Sequence, residues 1–251
     1  MDVLTDTWTV FRRQAMMLLQ NPVWLIAGTL QPLFFVLLFA PLLPRVLGVE
    51  TTGEAYGVFV PGLLVLVTSI TGLFAGLGLI GDARAGILER CRVTPVSRLA
   101  LLLGRCGRDV VMVLVQATVI VGVAVAFGMR VGPGELALAY LLLAAVAVLL
   151  SALSYGIALA LTAEEAMSSM LQTVLQPLEL LSGVMLPLAL APAWMLAIAW
   201  WNPLSHVVAA ERALFAGAPG DPVVWQATLL VAVLAVAALA WSRRRFVRTA
   251  R

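Results

Sequence analysis

The chain has 251 residues, of which 62% are hydrophobic and only 12% are charged, whereas soluble domains have about 25% charged residues. A soluble domain of this size needs polar side chains to cover its surface. The composition therefore excludes an ordinary soluble enzyme, a disordered protein and a nucleic-acid-binding protein. It predicts a protein embedded in a lipid bilayer. The net charge of +3 is small.

Two absences exclude most routes to catalysis. All sixteen basic residues are arginine, and a Walker A loop needs a lysine to reach the nucleotide phosphates. His206 is the only histidine, and Cys91 and Cys106 are the only cysteines, which excludes HExxH motifs and the usual zinc sites. We therefore predict no catalytic residue, metal site or cofactor in this chain.

Residues 1–20 predict an amphipathic helix that lies in the cytoplasmic headgroup layer. The apolar positions at helical spacing are Leu4, Trp8, Phe11, Ala15 and Leu18. The polar positions on the other face are Asp2, Asp6, Thr9 and Arg13. A simple extension of the first membrane span is the alternative interpretation.

Six windows of the roughly 20 apolar residues that cross a bilayer follow along the chain. The predicted spans lie near 23–43, 58–80, 109–128, 137–161, 167–187 and 223–242. Gly72 and Gly76 form a GxxxG element in the second span, which predicts close helix packing. The chain is thus predicted to be a single all-α transmembrane domain over 1–251.

The region 188–215, between the fifth and sixth spans, predicts an extracellular re-entrant or surface-lying hairpin. Prolines divide the uncharged stretch 180–210 into pieces too short to cross a membrane. The prolines are Pro187, Pro192 and Pro203, and the tryptophans that mark an interfacial depth are Trp194, Trp200 and Trp201.

The distribution of arginine predicts the orientation. Thirteen arginines fall in the N-terminal helix, in the connection after the second span and in the C-terminal tail, whereas three, Arg45, Arg130 and Arg212, fall on the other side. Both termini are therefore expected in the cytoplasm, in a protein of the inner (plasma) membrane.

The cytoplasmic connection 82–107 predicts a short charged helix through Arg92 and a break at Thr94–Pro95. Thr94 is the expected N-cap of the helix that leads into the third span. A short charged helix suits docking into a groove of a cytoplasmic partner. A solvated loop that only sets the topology is the alternative.

Two blocks of short motifs resemble the ABC-2 type transporter permeases, and within them the daunorubicin-resistance-type exporters of bacteria. The first block is Gly86-Ile-Leu-Glu89, Val93-Thr-Pro95-Val-Ser97 and Leu103-Gly-Arg105. The second is Leu181-Ser-Gly183-Val-Met-Leu-Pro187, Pro192-Ala-Trp194, Asn202-Pro-Leu204 and Arg212.

This resemblance implies a permease subunit, with ATP and Mg²⁺ bound by a separate cytoplasmic ABC ATPase. Two ATPase copies would pair with two copies of this chain, or with this chain and a related permease. The segment 82–107 would be the coupling segment on the ATPase, and its expected polar contacts are Arg84, Glu89, Arg90 and Arg92. The resemblance also places the first, second and fifth spans around a central path.

Polar residues inside the spans are the candidates for lining that path. Glu179 is expected about 18 Å into the fifth span, just past the bilayer midplane, where ionisable groups usually face a cavity or a partner. The other candidates are Gln31, Gln172 and Gln176. A protonated Glu179 that is hydrogen-bonded to one of these glutamines is the structural alternative.

The expected function is therefore export of a hydrophobic or amphipathic small molecule, drug-like or lipid-like. Export of a glycan or glycolipid is the alternative within the same class. An ion-coupled secondary transporter would need several polar groups at the midplane, and an intramembrane enzyme would need paired catalytic groups.

Overall fold

The structure is a computed structural model, and it describes residues 3–20, 23–39, 42, 44–45, 48–86, 97–161, 163–184 and 191–248. Over these ranges the chain forms nine α-helices and no strand. The helices are α1 (Val3–Gln20), α2 (Val23–Phe39), α3 (Thr52–Arg84), α4 (Arg98–Ala126), α5 (Pro133–Leu161), α6 (Glu164–Leu180), α7 (Ala193–Ala199), α8 (Pro203–Phe215) and α9 (Pro222–Arg248).

In the part of the chain that the structure describes, four helices are long and apolar enough to cross a membrane, namely α3, α4, α5 and α9. A fifth span results if the bent pair α1 and α2 is counted as one. These helices confirm the predicted all-α, polytopic class. The predicted fifth span corresponds to α6, which has 17 residues and is not among the four, so the count of six spans stays a prediction.

Helix α3 lies at the centre of the bundle and packs against α4, α5, α6 and α8. Gly76 permits its close approach to α5: its N–H donates to Ser154 Oγ at 2.9 Å, and a Cβ here would lie 2.6 Å from Ser154 O. A Cβ on Gly72 would lie 2.8 Å from Leu150 Cβ. The GxxxG element therefore packs within the subunit.

The arginine-bearing segments meet at one end of the bundle, which we call the charged end and define by Asp82, Arg84, Arg105 and Glu164. Ion pairs join these residues across α3, α4 and α6. The last turns of α9, which carry three consecutive arginines, reach the same end, because Trp241 packs on Gly156 of α5.

Helix α1 forms over Val3–Gln20, within the predicted 1–20, and of its predicted polar face Thr9 and Arg13 are exposed whereas Asp6 is not. Asp6, expected on the polar face, is buried and accepts a hydrogen bond from Ser97 N at 3.4 Å. Leu4 and Trp8 are exposed, while Val10 packs on Gly104 of α4. The helix forms as its spacing predicts. Because α1 docks on α4, however, the face that packs on the bundle is mixed and contains both Asp6 and Val10.

Helix α4 begins later than the sequence pattern predicts. Ser97 is its N-cap, and the Ser97 hydroxyl accepts from Ala100 N at 3.1 Å. The expected N-cap at Thr94 is therefore wrong for α4, and Thr94 and Pro95 themselves lie outside the described residues. Ser97 satisfies an N–H group that the helix leaves unbonded at its start.

The predicted hairpin region contains the two short helices α7 and α8, neither long enough to cross a bilayer. Residues 185–190 lie outside the described ranges. Asn202 caps α8, because its Oδ1 accepts from Leu204 N at 3.0 Å. Trp194, Trp200 and Trp201 are exposed around α7, as aromatic side chains at a membrane interface commonly are.

Candidate functional site

Helix α6 carries a polar face that no described helix covers. Met167, Leu171 and Leu175 are buried at a spacing of four residues and attach α6 to the bundle. Gln172 and Gln176 lie one turn apart on a different face of the helix and are exposed. The structure therefore points both predicted glutamines away from the subunit's own core.

Glu179 lies in the last turn of α6, whose C-cap is Leu181. Its Oε1 atom is buried and has no hydrogen-bond partner among the described residues. The structural alternative, a hydrogen bond from this oxygen to Gln31, Gln172 or Gln176, is thus not formed. Unlike the two glutamines of α6, Glu179 is half-buried.

Gln31 is exposed on α2, one residue before Pro32. Gln116, which was not predicted as a site residue, is buried on α4, and its Oε1 accepts a hydrogen bond from Thr71 Oγ1 at 2.9 Å. Its Nε2 atom has no hydrogen-bond partner within the described ranges and would lie 2.7 Å from a Cβ on Gly28. Gln116 therefore joins α3 and α4 where α2 crosses them.

Polar residues of the second motif block hold the end of α6 to the rest of the fold. Asn202 Nδ2 donates to Leu178 O at 2.7 Å. Arg212 of α8 donates through Nε to Val58 O at 3.1 Å and through Nη2 to Gly183 O at 2.7 Å. Arg212 is thus used within the subunit, at the end of the bundle opposite the charged end.

Glu211, the neighbour of Arg212, is fully buried on α8. Both its carboxylate oxygens lack a partner in the part of the chain that the structure describes. Burial raises the pKa of Glu211 well above its ordinary value. Burial therefore favours the protonated, neutral form of this carboxyl over the charged one.

Two residues in the last turn of α3, Asp82 and Arg84, form three ion pairs at the charged end. Asp82 Oδ2 contacts Arg105 Nη2 of α4 at 2.6 Å. Arg84 contacts Glu164 Oε1 at 3.4 Å and Glu165 Oε2 at 3.8 Å, both in the first turn of α6. Arg84, a predicted contact of the ATPase, is therefore paired inside the subunit.

The other predicted coupling residues are Glu89, Arg90 and Arg92, and all three lie outside the described residues. Helix α3 ends at Arg84, and the described chain stops two residues later at Gly86, which has a φ of 71°. Glycine adopts this left-handed conformation without strain. The chain therefore turns out of α3 directly before the segment that carries these residues.

A buried polar cluster close to the charged end was not predicted. Arg108 donates to Asp109 Oδ1 through Nε at 3.0 Å and through Nη2 at 2.5 Å. Tyr155 of α5 donates to Asp109 Oδ2 at 2.5 Å. The signal in the sequence is weak, because Asp109 is the first residue of the predicted third span and directly follows Arg108.

Comparison with known proteins agrees with this architecture. A family model described as "ABC-2 type transporter" matches residues 5–216. The chain is 29% identical over 235 residues to "Daunorubicin resistance ABC transporter permease protein DrrB1" of Streptomyces coeruleorubidus, covering 92% of this chain and 80% of that one. It is 23% identical over 194 residues to "Probable multidrug ABC transporter permease YbhR" of Escherichia coli K12, covering 74% and 52%. The match to the family extends over most of the sequence, so the chain belongs to the ABC-2 type transporter family.

Proposed function

We propose that this chain is the permease subunit of an ATP-driven exporter and moves a hydrophobic or amphipathic molecule outward along a path between two permease subunits. The observation that carries the proposal is the polar face of α6. Gln172 and Gln176 are exposed on a helix that is otherwise held by a narrow apolar stripe.

Exposed amide groups at membrane depth are unfavourable against lipid, because hydrocarbon offers them no hydrogen bond. A water-filled path or a second permease subunit satisfies them. Gln31 on α2 is exposed in the same way, and we assign it to the same path. The mixture of amides with apolar neighbours suits an amphipathic molecule better than a small hydrophilic ion.

The energy source in this proposal is a separate cytoplasmic ATPase that binds ATP and Mg²⁺. The absence of lysine from the chain supports it, because no standard P-loop can form. Coupling through 82–107, with contacts from Glu89, Arg90 and Arg92, is part of the same proposal. Relatives named for daunorubicin resistance and multidrug transport support a drug-like substrate.

The proposed orientation puts both termini and the charged end in the cytoplasm of a cell with this protein in its inner membrane. Its support is the convergence of α3, α4, α6 and α9 on one arginine-rich end. Reporter fusions after Arg92 and after Arg251 should both give a cytoplasmic signal. An external signal at either position contradicts the orientation.

The function is tested with the complex that forms when this chain is co-expressed with an ABC ATPase from the same organism. Cells that hold both subunits should accumulate less daunorubicin than cells with the permease alone. In membranes with Cys91 replaced by Ser, Gln172→Cys and Gln176→Cys should react with a water-soluble maleimide.

Val233→Cys on α9 is the matched control, because Val233 is also exposed but lies on an apolar surface that we expect to face lipid. It should react slowly. Equal reactivity at Gln172 and Val233 would contradict a path along α6. Stoichiometric ATP binding by the purified chain alone would contradict its assignment as a permease subunit.

A further inference from the structure

We propose that the ion pair between Arg84 and Glu164 is the link through which movement of the coupling segment reaches α6. The proposal rests on the proposed function, since it takes 82–107 as the segment that the ATPase moves. It gives Arg84 a role as a positioning residue inside the permease, in place of the ATPase contact expected from the sequence.

The first step concerns where Arg84 stands in the chain. It is the last residue of α3, a continuous helix of 33 residues. Gly86 follows two positions later in a left-handed conformation. A displacement of residues 87–96 therefore acts directly on the two helices that flank the segment, at the turn of α3 that contains Arg84 and at the start of α4, which Ser97 caps.

The second step is a contrast between two ion pairs of this turn. Asp82 Oδ2 and Arg105 Nη2 lie 2.6 Å apart, and the Arg105 side chain is only 8% exposed. Arg84 and Glu164 lie 3.4 Å apart with side chains 52% and 43% exposed. Breaking a buried ion pair leaves an unpaired charge inside the protein, which is unfavourable. An ion pair exposed to solvent is weak, and water readily replaces either partner. The first pair fixes α3 to α4, and the second suits a contact that opens and closes.

The third step concerns what Arg84 holds. Glu164 and Glu165 form the first turn of α6, and Arg84 reaches both. Beyond this turn, α6 is anchored to the bundle along its length by the stripe of Met167, Leu171 and Leu175, and at its far end by the hydrogen bond from Asn202 to Leu178 O. A helix held along one narrow line can roll or tilt about it when the contact at its start changes.

The consequence is a physical route from the coupling segment to the path. Helix α6 carries Gln172 and Gln176 on its exposed surface. Closing or opening the pair between Arg84 and Glu164 then changes how this surface is presented. The alternative role for Glu164 and Glu165 is stabilisation of the start of α6, where acidic side chains favour the helix dipole.

The experiment measures the maleimide reaction of Gln172→Cys in the complex with its ATPase, with and without ATP plus orthovanadate, in the Cys91→Ser background. Trapping the nucleotide should change the labelling rate in the parent complex. Arg84→Gln should abolish this change, although the ATPase is recovered and hydrolyses ATP. The pair-reversed variant Arg84→Glu with Glu164→Arg should restore it.

Two further variants keep the test decisive. Glu164→Gln with Glu165→Gln preserves side-chain size and should reproduce the loss seen for Arg84→Gln, in case the arginine variants fail to assemble. Arg130→Gln, an exposed arginine at the opposite end of the bundle, should respond to nucleotide as the parent does.

A normal nucleotide response in Arg84→Gln overturns the proposal. A loss that pair reversal does not restore also overturns it, because Arg84 then acts through another partner. The proposed function itself is contradicted if the parent permease binds no ATPase, or if the labelling rate of the parent complex does not change with nucleotide. Either result is seen before any variant is made.

Discussion

Tyr155 of α5 donates a hydrogen bond of 2.5 Å to Asp109 of α4, and both side chains are buried. Arg108 occupies the other oxygen of the same carboxylate. The bond therefore joins two candidate membrane spans through a carboxylate whose charge is balanced by its neighbour in sequence.

Removing the tyrosine hydroxyl should destabilise the protein, because a hydrogen bond to a charged group contributes about 1.5–3 kcal/mol. Tyr155→Phe should lower the unfolding temperature in detergent, measured by tryptophan fluorescence. Tyr140→Phe is the matched control, since Tyr140 lies on the same helix and is half-buried. Equal unfolding temperatures for the two variants would contradict a stabilising role for this bond.

The packing of α3 on α5 predicts opposite effects for two glycines that lie two residues apart. A Cβ at position 76 would lie 2.5 Å from Met167 Cε and 2.6 Å from Ser154 O. Gly76→Ala should therefore lower the free energy of unfolding by about 1–3 kcal/mol, the usual effect of overpacking a core.

Gly78→Ala meets no atom within 4 Å and should be neutral or stabilising by up to about 1 kcal/mol, from helix propensity. Unfolding temperatures of the two variants in one detergent check this pair. A destabilised Gly78→Ala variant would show that α3 contacts a further surface at this position.

The docking of α1 on α4 requires a small residue at position 104, where a Cβ would lie 2.7 Å from Val10 Cγ1 and 3.0 Å from Phe11 N. Gly104→Leu should release α1, which limited proteolysis would detect as faster cleavage before residue 23. A Cβ on Gly122 of the same helix would meet no atom within 4 Å, so Gly122→Leu should be cleaved like the parent. Parent-like cleavage of Gly104→Leu would mean that α1 has another position.

The buried carboxyl of Glu211 predicts a dependence of stability on pH. Its pKa is raised in the folded protein by burial, so the folded state binds more protons than the unfolded state above about pH 4.5. Stability should therefore fall as pH rises. Glu211→Gln should reduce this fall, with the larger gain in unfolding temperature at pH 8 than at pH 5. An equal gain at both values would show that ionisation is not the cause.

Two assays, recovery of the ATPase and transport of daunorubicin, should distinguish the predicted coupling residues Glu89 and Arg92 from the predicted path residue Glu179. Glu89→Ala and Arg92→Ala should reduce recovery of the ATPase in a pull-down, because each lost charge-assisted contact is worth about 1.5–3 kcal/mol. Glu179→Gln keeps size and hydrogen bonding, so assembly should survive while daunorubicin transport changes. Loss of assembly in Glu179→Gln would make that carboxylate structural.

The amino-acid sequence alone determined the properties that depend on local composition and period. Long uncharged windows predicted the membrane class and the all-α fold, because a helix satisfies every backbone group within its own segment. The order of short motifs predicted the ABC-2 type family, which the comparisons confirm. Local rules failed at the ends of helices, as at Ser97, where one capping hydroxyl replaced another that looked equally suitable.

The tertiary structure alone decided which side chains meet. Asp6 is buried although its spacing assigns it to a polar face, because Ser97 supplies a backbone N–H. Arg84 pairs with Glu164 eighty positions along the chain, and Asp109 is satisfied by a tyrosine from the next span. Helical period tells which residues share a face, but only the neighbouring helices determine whether that face meets lipid, protein or an opposite charge.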